Sequence, residues 1–199
     1  MPLLILLVVP LFAAIVLAFV GDRKFAPEVN ILGSAATFAA GVVLALEVLA
    51  HGPMLAGGKF FFVDEFNVYL AVLTSFVSMT TAIFSRRYMR REREHGRVGS
   101  IGMRFYHAMF QLFIFAMLLC LLTNNVGVLW IAMELATLST VLLVSLYRTP
   151  SAIEAAWKYF ILCGVGIALA LFGTVLLYFA AEKVLGEGGE ALLWTNLSK

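Results

Sequence analysis

An all-α integral membrane fold with about six transmembrane helices follows from three observations on this 199-residue chain. Hydrophobic residues make up 62% and charged ones 13%, against roughly 45–50% and about 25% in soluble domains. The apolar residues gather into six runs, and each can cross a hydrocarbon core that takes about 20 residues of helix. None of the runs alternates residue by residue as a barrel strand would. With no 20-to-50-residue repeat and no low-complexity tract, residues 1–199 read as a single membrane domain.

The runs cover residues 2–20, 29–50, 64–84, 105–123, 125–147 and 152–182. The first has no basic flank and no A-x-A pattern before Gly21, so it reads as a retained span and not a removed signal. Asp64 and Glu65 open the third as an N-cap and a first-turn acid. Only Thr123-Asn124-Asn125 divides the fourth from the fifth; the cut rests on length, with Asn-Asn as a tight turn. The sixth exceeds one crossing, so tilt or an overhang absorbs the surplus. In it, Gly166 and Gly173 share a face and Gly164 lies nearby, which predicts close helix packing.

Charge placement predicts orientation. Between Ser85 and Arg104 stand Arg86, Arg87, Arg90, Arg91, Arg93, Arg97 and Arg104 against Glu92 and Glu94. With Arg23, Lys24 and Arg148 this end of the bundle holds ten basic residues, while Lys59, Lys183 and Lys199 make three at the other. The arginine end is therefore expected in the cytoplasm and both termini outside. The expected location is the inner (cytoplasmic) membrane of a cell.

Several function classes find no support. Cys120 and Cys163 lie in apolar runs without CxxC or Cys/His spacing, so they read as packed free thiols. No dinucleotide fingerprint, P-loop, HExxH site, nucleophile elbow, haem CxxCH or iron–sulfur cysteine run is present. No cofactor, metal site, catalytic centre or nucleic-acid partner is expected.

Ionisable residues within spans are costly and point to function. Glu134, in LWIAMELATLS, lies about ten residues from either end of the fifth span, too deep for a short carboxylate to reach water. Thr137 and Ser145 fall near the same helical face. Lys158, in EAAWKYFIL, stands seven residues into the sixth span. Glu154 precedes it by four residues in the favourable order, and its stem can snorkel. Alternatively Lys158 faces the interior and biases the proton affinity of Glu134. Glu47, His51 and His107 read as interfacial, with His107 an auxiliary candidate for proton relay.

The stretch from Asn124 to Tyr178 resembles the antiporter-like, proton-translocating membrane subunits of respiratory complex I, most closely the component F branch of hydrogenase-4, a formate-hydrogenlyase-type complex. The similarity is carried by Met133-Glu134-Leu135, by Ala155-Ala156-Trp157-Lys158-Tyr159-Phe160, by the Gly-containing run that follows and by Phe62-Val63-Asp64-Glu65-Phe66. The resemblance implies a fourteen-helix fold with two inverted five-helix repeats, each with a broken helix. It also implies that Glu134 pairs with a lysine on the broken seventh helix, couples proton movement to electron transfer elsewhere in a complex, and has Lys158 as a polar neighbour. The 199 residues correspond to the first part of that fold and end ahead of the seventh helix. A truncated or fragmentary product, and a split subunit completed by a neighbouring chain, both fit this.

The function expected is that of a non-redox membrane subunit of a hydrogenase-4 or complex I-like oxidoreductase. It would contribute part of a proton pathway alongside other membrane and peripheral subunits. The alternative is an assembly or scaffold piece without transport of its own. A stand-alone small-solute or cation carrier is the weaker third class, since the chain has one deep acid.

Overall fold

The computed structural model describes residues 2–185 and 188–198. Among them, six helices are long and apolar enough to cross a membrane: α1 (Pro2–Val20), α2 (Ala26–His51), α3 (Glu65–Glu94), α4 (Ser100–Leu122), α5 (Val126–Val144) and α6 (Pro150–Leu185). A short helix, α7 (Trp194–Leu197), closes the described part. The chain is an all-α, multi-pass membrane protein.

Local sequence sets the helix starts. The Asp64 carboxylate accepts the Asn67 backbone N–H at 2.7 Å and caps α3, and Asn125 Oδ1 caps α5 by accepting from Gly127 and Val128. Both satisfy N–H groups that a helix start leaves free. At α6, Pro150 occupies the first helical position, where its missing N–H costs nothing, and Thr149 Oγ1 accepts from Ala152 N.

Two features differ from the sequence expectation. The arginine-rich stretch is mostly helix, because α3 runs on to Glu94 and α4 begins at Ser100. Arg and Glu are good helix formers. At 30 residues, α3 is about 45 Å long and overruns a core of roughly 30 Å. The second feature is a small hairpin between α2 and α3. Strand β1 (Met54–Ala56) pairs antiparallel with β2 (Phe61–Val63), with Met54 opposite Val63. Its turn takes Gly57, Gly58 and Lys59 through positive φ, which the two glycines tolerate without strain.

Helix α1 packs on α2 and α4, α2 on α3, α3 on α4, α4 on α5, and α5 on α6. One continuous apolar core, including Leu6, Leu44, Val48, Ala71, Leu118 and Leu122, fills the space between α1, α2, α3 and α4. Helix α6 lies at the edge, and Ala156 and Ile167 are its buried positions among the described residues. Gly164, Gly166 and Gly173 have no atom within 4 Å of where a Cβ would sit. The close packing expected of them is not met within this chain, because α5 meets α6 along another face.

The two ends of the bundle are tied differently. At the arginine end, Arg104 makes a bidentate pair with Asp22 at 2.8 and 2.9 Å, Arg93 donates to the Asp22 carbonyl, and the Tyr88 and Tyr147 hydroxyls bond at 2.7 Å. Ten basic residues gather here; Lys59 and Lys183 stand at the opposite end, Lys59 paired with Glu190 at 2.9 Å, and Lys199 lies outside the described residues. That opposite end is stitched by Asn124, which is 1% exposed. Its backbone N–H donates to Phe60 O and its carbonyl accepts from Trp194 N, both at 2.7 Å. Its amide donates to Lys59 O and Thr195 Oγ1 and accepts from Thr195 N.

Two outcomes follow. Asn124→Ala removes three side-chain hydrogen bonds from a buried site, at about 1 kcal/mol each, and lowers the thermal midpoint of the detergent-solubilised protein. The Arg104 guanidinium holds the Asp22 carboxyl below its ordinary value of 3.8. A depressed carboxylate stabilises the folded state above its unfolded pKa, and that contribution fades as pH falls through the folded value. Thermal scans should therefore show Asp22→Asn below the parent at neutral pH and equal to it in acid, beneath the usual carboxylate range.

Candidate functional site

Glu134 lies next to the midpoint of α5. It is half-buried, and no described residue gives it a hydrogen bond or an ion pair. A carboxylate placed there by a 19-residue crossing helix lies deep in the hydrocarbon, where it needs a proton, a partner or water.

Two contacts set the antiparallel register of α5 on α6. Trp130 Nε1 donates to Ile167 O at 2.8 Å, and the Thr140 and Tyr159 hydroxyls bond at 3.1 Å. Interpolation puts Glu134 at the level of Cys163 and Gly164 on α6. Lys158 is then about 9 Å further along the helix axis at 1.5 Å per residue. It binds Glu154 one turn away at 2.5 Å, and the two side chains are 74% and 65% exposed. The structure does not bring Glu134 and Lys158 together.

The auxiliary residues are placed as follows. Thr137 donates its hydroxyl back to Met133 O at 3.0 Å and does not reach toward Glu134. Ser145 donates to Leu142 O at 2.9 Å, in the 3₁₀ turn that ends α5. It does share the Glu134 face: Leu138, Val141, Leu142 and Ser145 follow Glu134 at helical spacing and line a groove of about 380 Å³ against Ile153, Ala156, Trp157 and Phe160. The groove begins at Leu138 and Phe160, one turn beyond Glu134, and extends toward the arginine end, and its walls are almost wholly apolar. His107 lies two turns inside α4, since the helix starts at Ser100. It is 1% exposed, and neither ring nitrogen has a partner, so its setting is the bundle interior and not the interface.

Sequence reasoning missed a buried polar layer between α2, α3 and α4. Gln111 Nε2 donates to Asn30 O, Asn30 Oδ1 and Ser34 Oγ at 2.8 to 3.0 Å, and Ser78 donates to Ser34 at 3.3 Å. The available signal was a lone amide in each of two apolar runs, Asn30 in VNILG and Gln111 in FQLF. Among the described residues no group of three or more His, Cys, Asp and Glu could hold a metal ion.

Comparisons with known proteins cover most of the chain, and the family pattern falls on α5 and α6. The pattern of the NADH:quinone oxidoreductase/Mrp antiporter transmembrane family matches residues 123–185. A hydrogenase-4 component F homolog of Methylacidiphilum infernorum is 54% identical over 140 residues, covering 70% of this chain and 29% of that protein. NADH-quinone oxidoreductase subunit N of Rhodospirillum rubrum is 28% identical over 181 residues, covering 87% of this chain and 35% of its own length. The chain thus spans about a third of the relatives it matches. In fold it superposes on a chain of an archaeal respiratory membrane complex, the membrane-bound sulfane sulfur reductase, with a TM-score of 0.74 at 19% identity, over 90% of this chain and 37% of that one. With six crossing helices and a family pattern that spans Glu134 and Lys158, the chain belongs to the antiporter-like membrane subunit family shared by hydrogenase-4 and NADH:quinone oxidoreductases.

Proposed function

We propose that the chain contributes part of a proton-translocation pathway in a hydrogenase-4 or complex I-like oxidoreductase, with Glu134 as the proton-binding carboxylate. The observation that carries this reading is a mid-membrane acid with no partner among the described residues. An acid in such a place changes its proton occupancy with any charge or water brought to it, which is what coupling to a distant electron transfer demands. Lys158 acts as an electrostatic modulator. At its present level it is neutralised by Glu154, so its influence on Glu134 depends on that pair opening. His107, Thr137 and Ser145 are auxiliary.

In this reading the subunit has no redox centre. Its partners are the other membrane and peripheral subunits of the complex, and it resides in the cytoplasmic membrane with its arginine end inward and both termini outward. In the assembled complex, Glu134→Gln keeps the shape and removes the titrating proton. Proton uptake per electron transferred should fall several-fold at normal assembly, and Glu134→Asp should retain part of it. Unchanged coupling in Glu134→Gln sinks the role.

A scaffold without transport is favoured by one observation, the long uncovered face of α6 around Gly164, Gly166 and Gly173. A Cβ at Gly166 or Gly173 meets no described atom within 4 Å and alanine or leucine there replaces a poor helix former, so the isolated subunit should fold at least as well. If α6 seats a partner helix, the same replacements lower recovery of the complex from membranes. Undiminished recovery counts against the scaffold.

A further inference from the structure

We propose that the interface of α2, α3 and α4 is a blind, water-binding pocket, entered from the arginine end and separate from Glu134. Five buried atoms lack a partner there: Glu28 Oε2, Asn30 Nδ2, Gln111 Oε1 and both ring nitrogens of His107. Asn30, Gln111 and His107 are each at most 1% exposed. Unsatisfied buried polar atoms cost about 1–3 kcal/mol each, and native proteins meet such needs with ordered water.

Rotating the amides does not cure the mismatch. Gln111 Nε2 lies among three oxygens, Asn30 O, Asn30 Oδ1 and Ser34 Oγ, so turning it would set its carbonyl against the two Asn30 oxygens. Turning Asn30 would oppose two amide nitrogens. What is left is complementary to water: a donor on Asn30, an acceptor on Gln111, one donor and one acceptor on a neutral His107 ring, and an acceptor on Glu28.

The pocket has a mouth and a floor. Glu28 Oε1 pairs with Arg86 at 2.6 Å, and these side chains are 38% and 44% exposed. From them the polar positions continue inward through His107, Asn30, Gln111, Ser34 and Ser78 to Thr37 and Ser75, all buried. Beyond Ser75, Leu6, Leu44, Val48, Val68 and Ala71 are an apolar stop. The charged groups at this end are Glu28 on α2, its partner Arg86 on α3, and Arg104 one turn before His107 on α4, paired with Asp22 of the α1–α2 connection. Water entering here reaches about half the membrane depth and no further.

The test uses the assembled complex in sealed vesicles of known sidedness, with Cys120 and Cys163 replaced by alanine. Single cysteines are placed at Ser34, Ser78 and Leu44, with Arg97→Cys marking the arginine face. Silver ion, small enough to follow water, is added from one face at a time, and thiols left free are then counted by maleimide labelling after denaturation. Ser34→Cys and Ser78→Cys should react from the arginine face at least about tenfold faster than Leu44→Cys, the contrast between a wet and a dry site. Reaction no faster than at Leu44→Cys, or reaction from the opposite face, overturns the pocket. A second measurement needs no substitution: X-ray radiolysis in ¹⁸O-water makes hydroxyl radicals from bound water, and His107 should acquire the label despite its burial. Labelling of exposed His95 with none at His107 also overturns it.

Discussion

An unpaired polar group in an apolar medium costs more than almost any single packing contact returns, and this constraint organises the whole molecule. It forces the backbone into helices, and it decides how each polar side chain between them is treated. Asn124 is the fully satisfied case. Its backbone and its amide serve the hairpin, the α4–α5 turn and the segment around Trp194 together, so one buried residue ties three segments at an end of the bundle. Gln111 is a partly satisfied case, with its nitrogen used and its oxygen left over. Glu134 is the unsatisfied one.

The same constraint explains why the two ends look different. At the arginine end long side chains reach water, so α3 can project beyond the hydrocarbon and its charges can pair across connections, as Arg93 and Arg104 do with Asp22. At the other end backbone hydrogen bonds between the connections take over: Phe61 bridges to Thr123 and Asn125 to Leu193. The hairpin follows from this. A connection from α2 to α3 lying over the bundle end must find partners for its own N–H and C=O groups, and pairing β1 with β2 supplies them.

Much of this was legible in the residues. Run length and charge clusters are direct readouts of bilayer thickness and solvation, so the six helices and the gathering of arginines at one end could be read without tertiary information. The Asp64 cap is a local rule and was equally readable. The end of α3 was not, because hydropathy falls at Arg86 while helix propensity does not, and the length of the apolar run was the wrong ruler for where the helix stops. The depth of Glu134 was visible. The pairing of Lys158 with Glu154 was also visible as a spacing, but the choice between that pairing and an inward-facing Lys158 depends on the helical face that α5 covers, and apolar residues surround both faces of α6. The polar layer of Asn30, Ser34 and Gln111 escaped because its members sit on different helices, and only packing shows that isolated amides face one another.

The division between the two halves of the chain carries the functional argument furthest. Helices α1 to α4 enclose a shared core, and most of their buried polar atoms find partners or lie along the layer that reaches the Glu28–Arg86 mouth. Helices α5 and α6 pack on each other along a single seam held by Trp130 and Thr140, with an acid between these contacts and an apolar groove running away from it. The family pattern spans residues 123–185, the two crossing helices least buried among the described residues. Under the proposed role the Glu134 carboxylate must answer to charge or water brought to it, and it stands half-buried on α5 with no hydrogen bond or ion pair from another described residue.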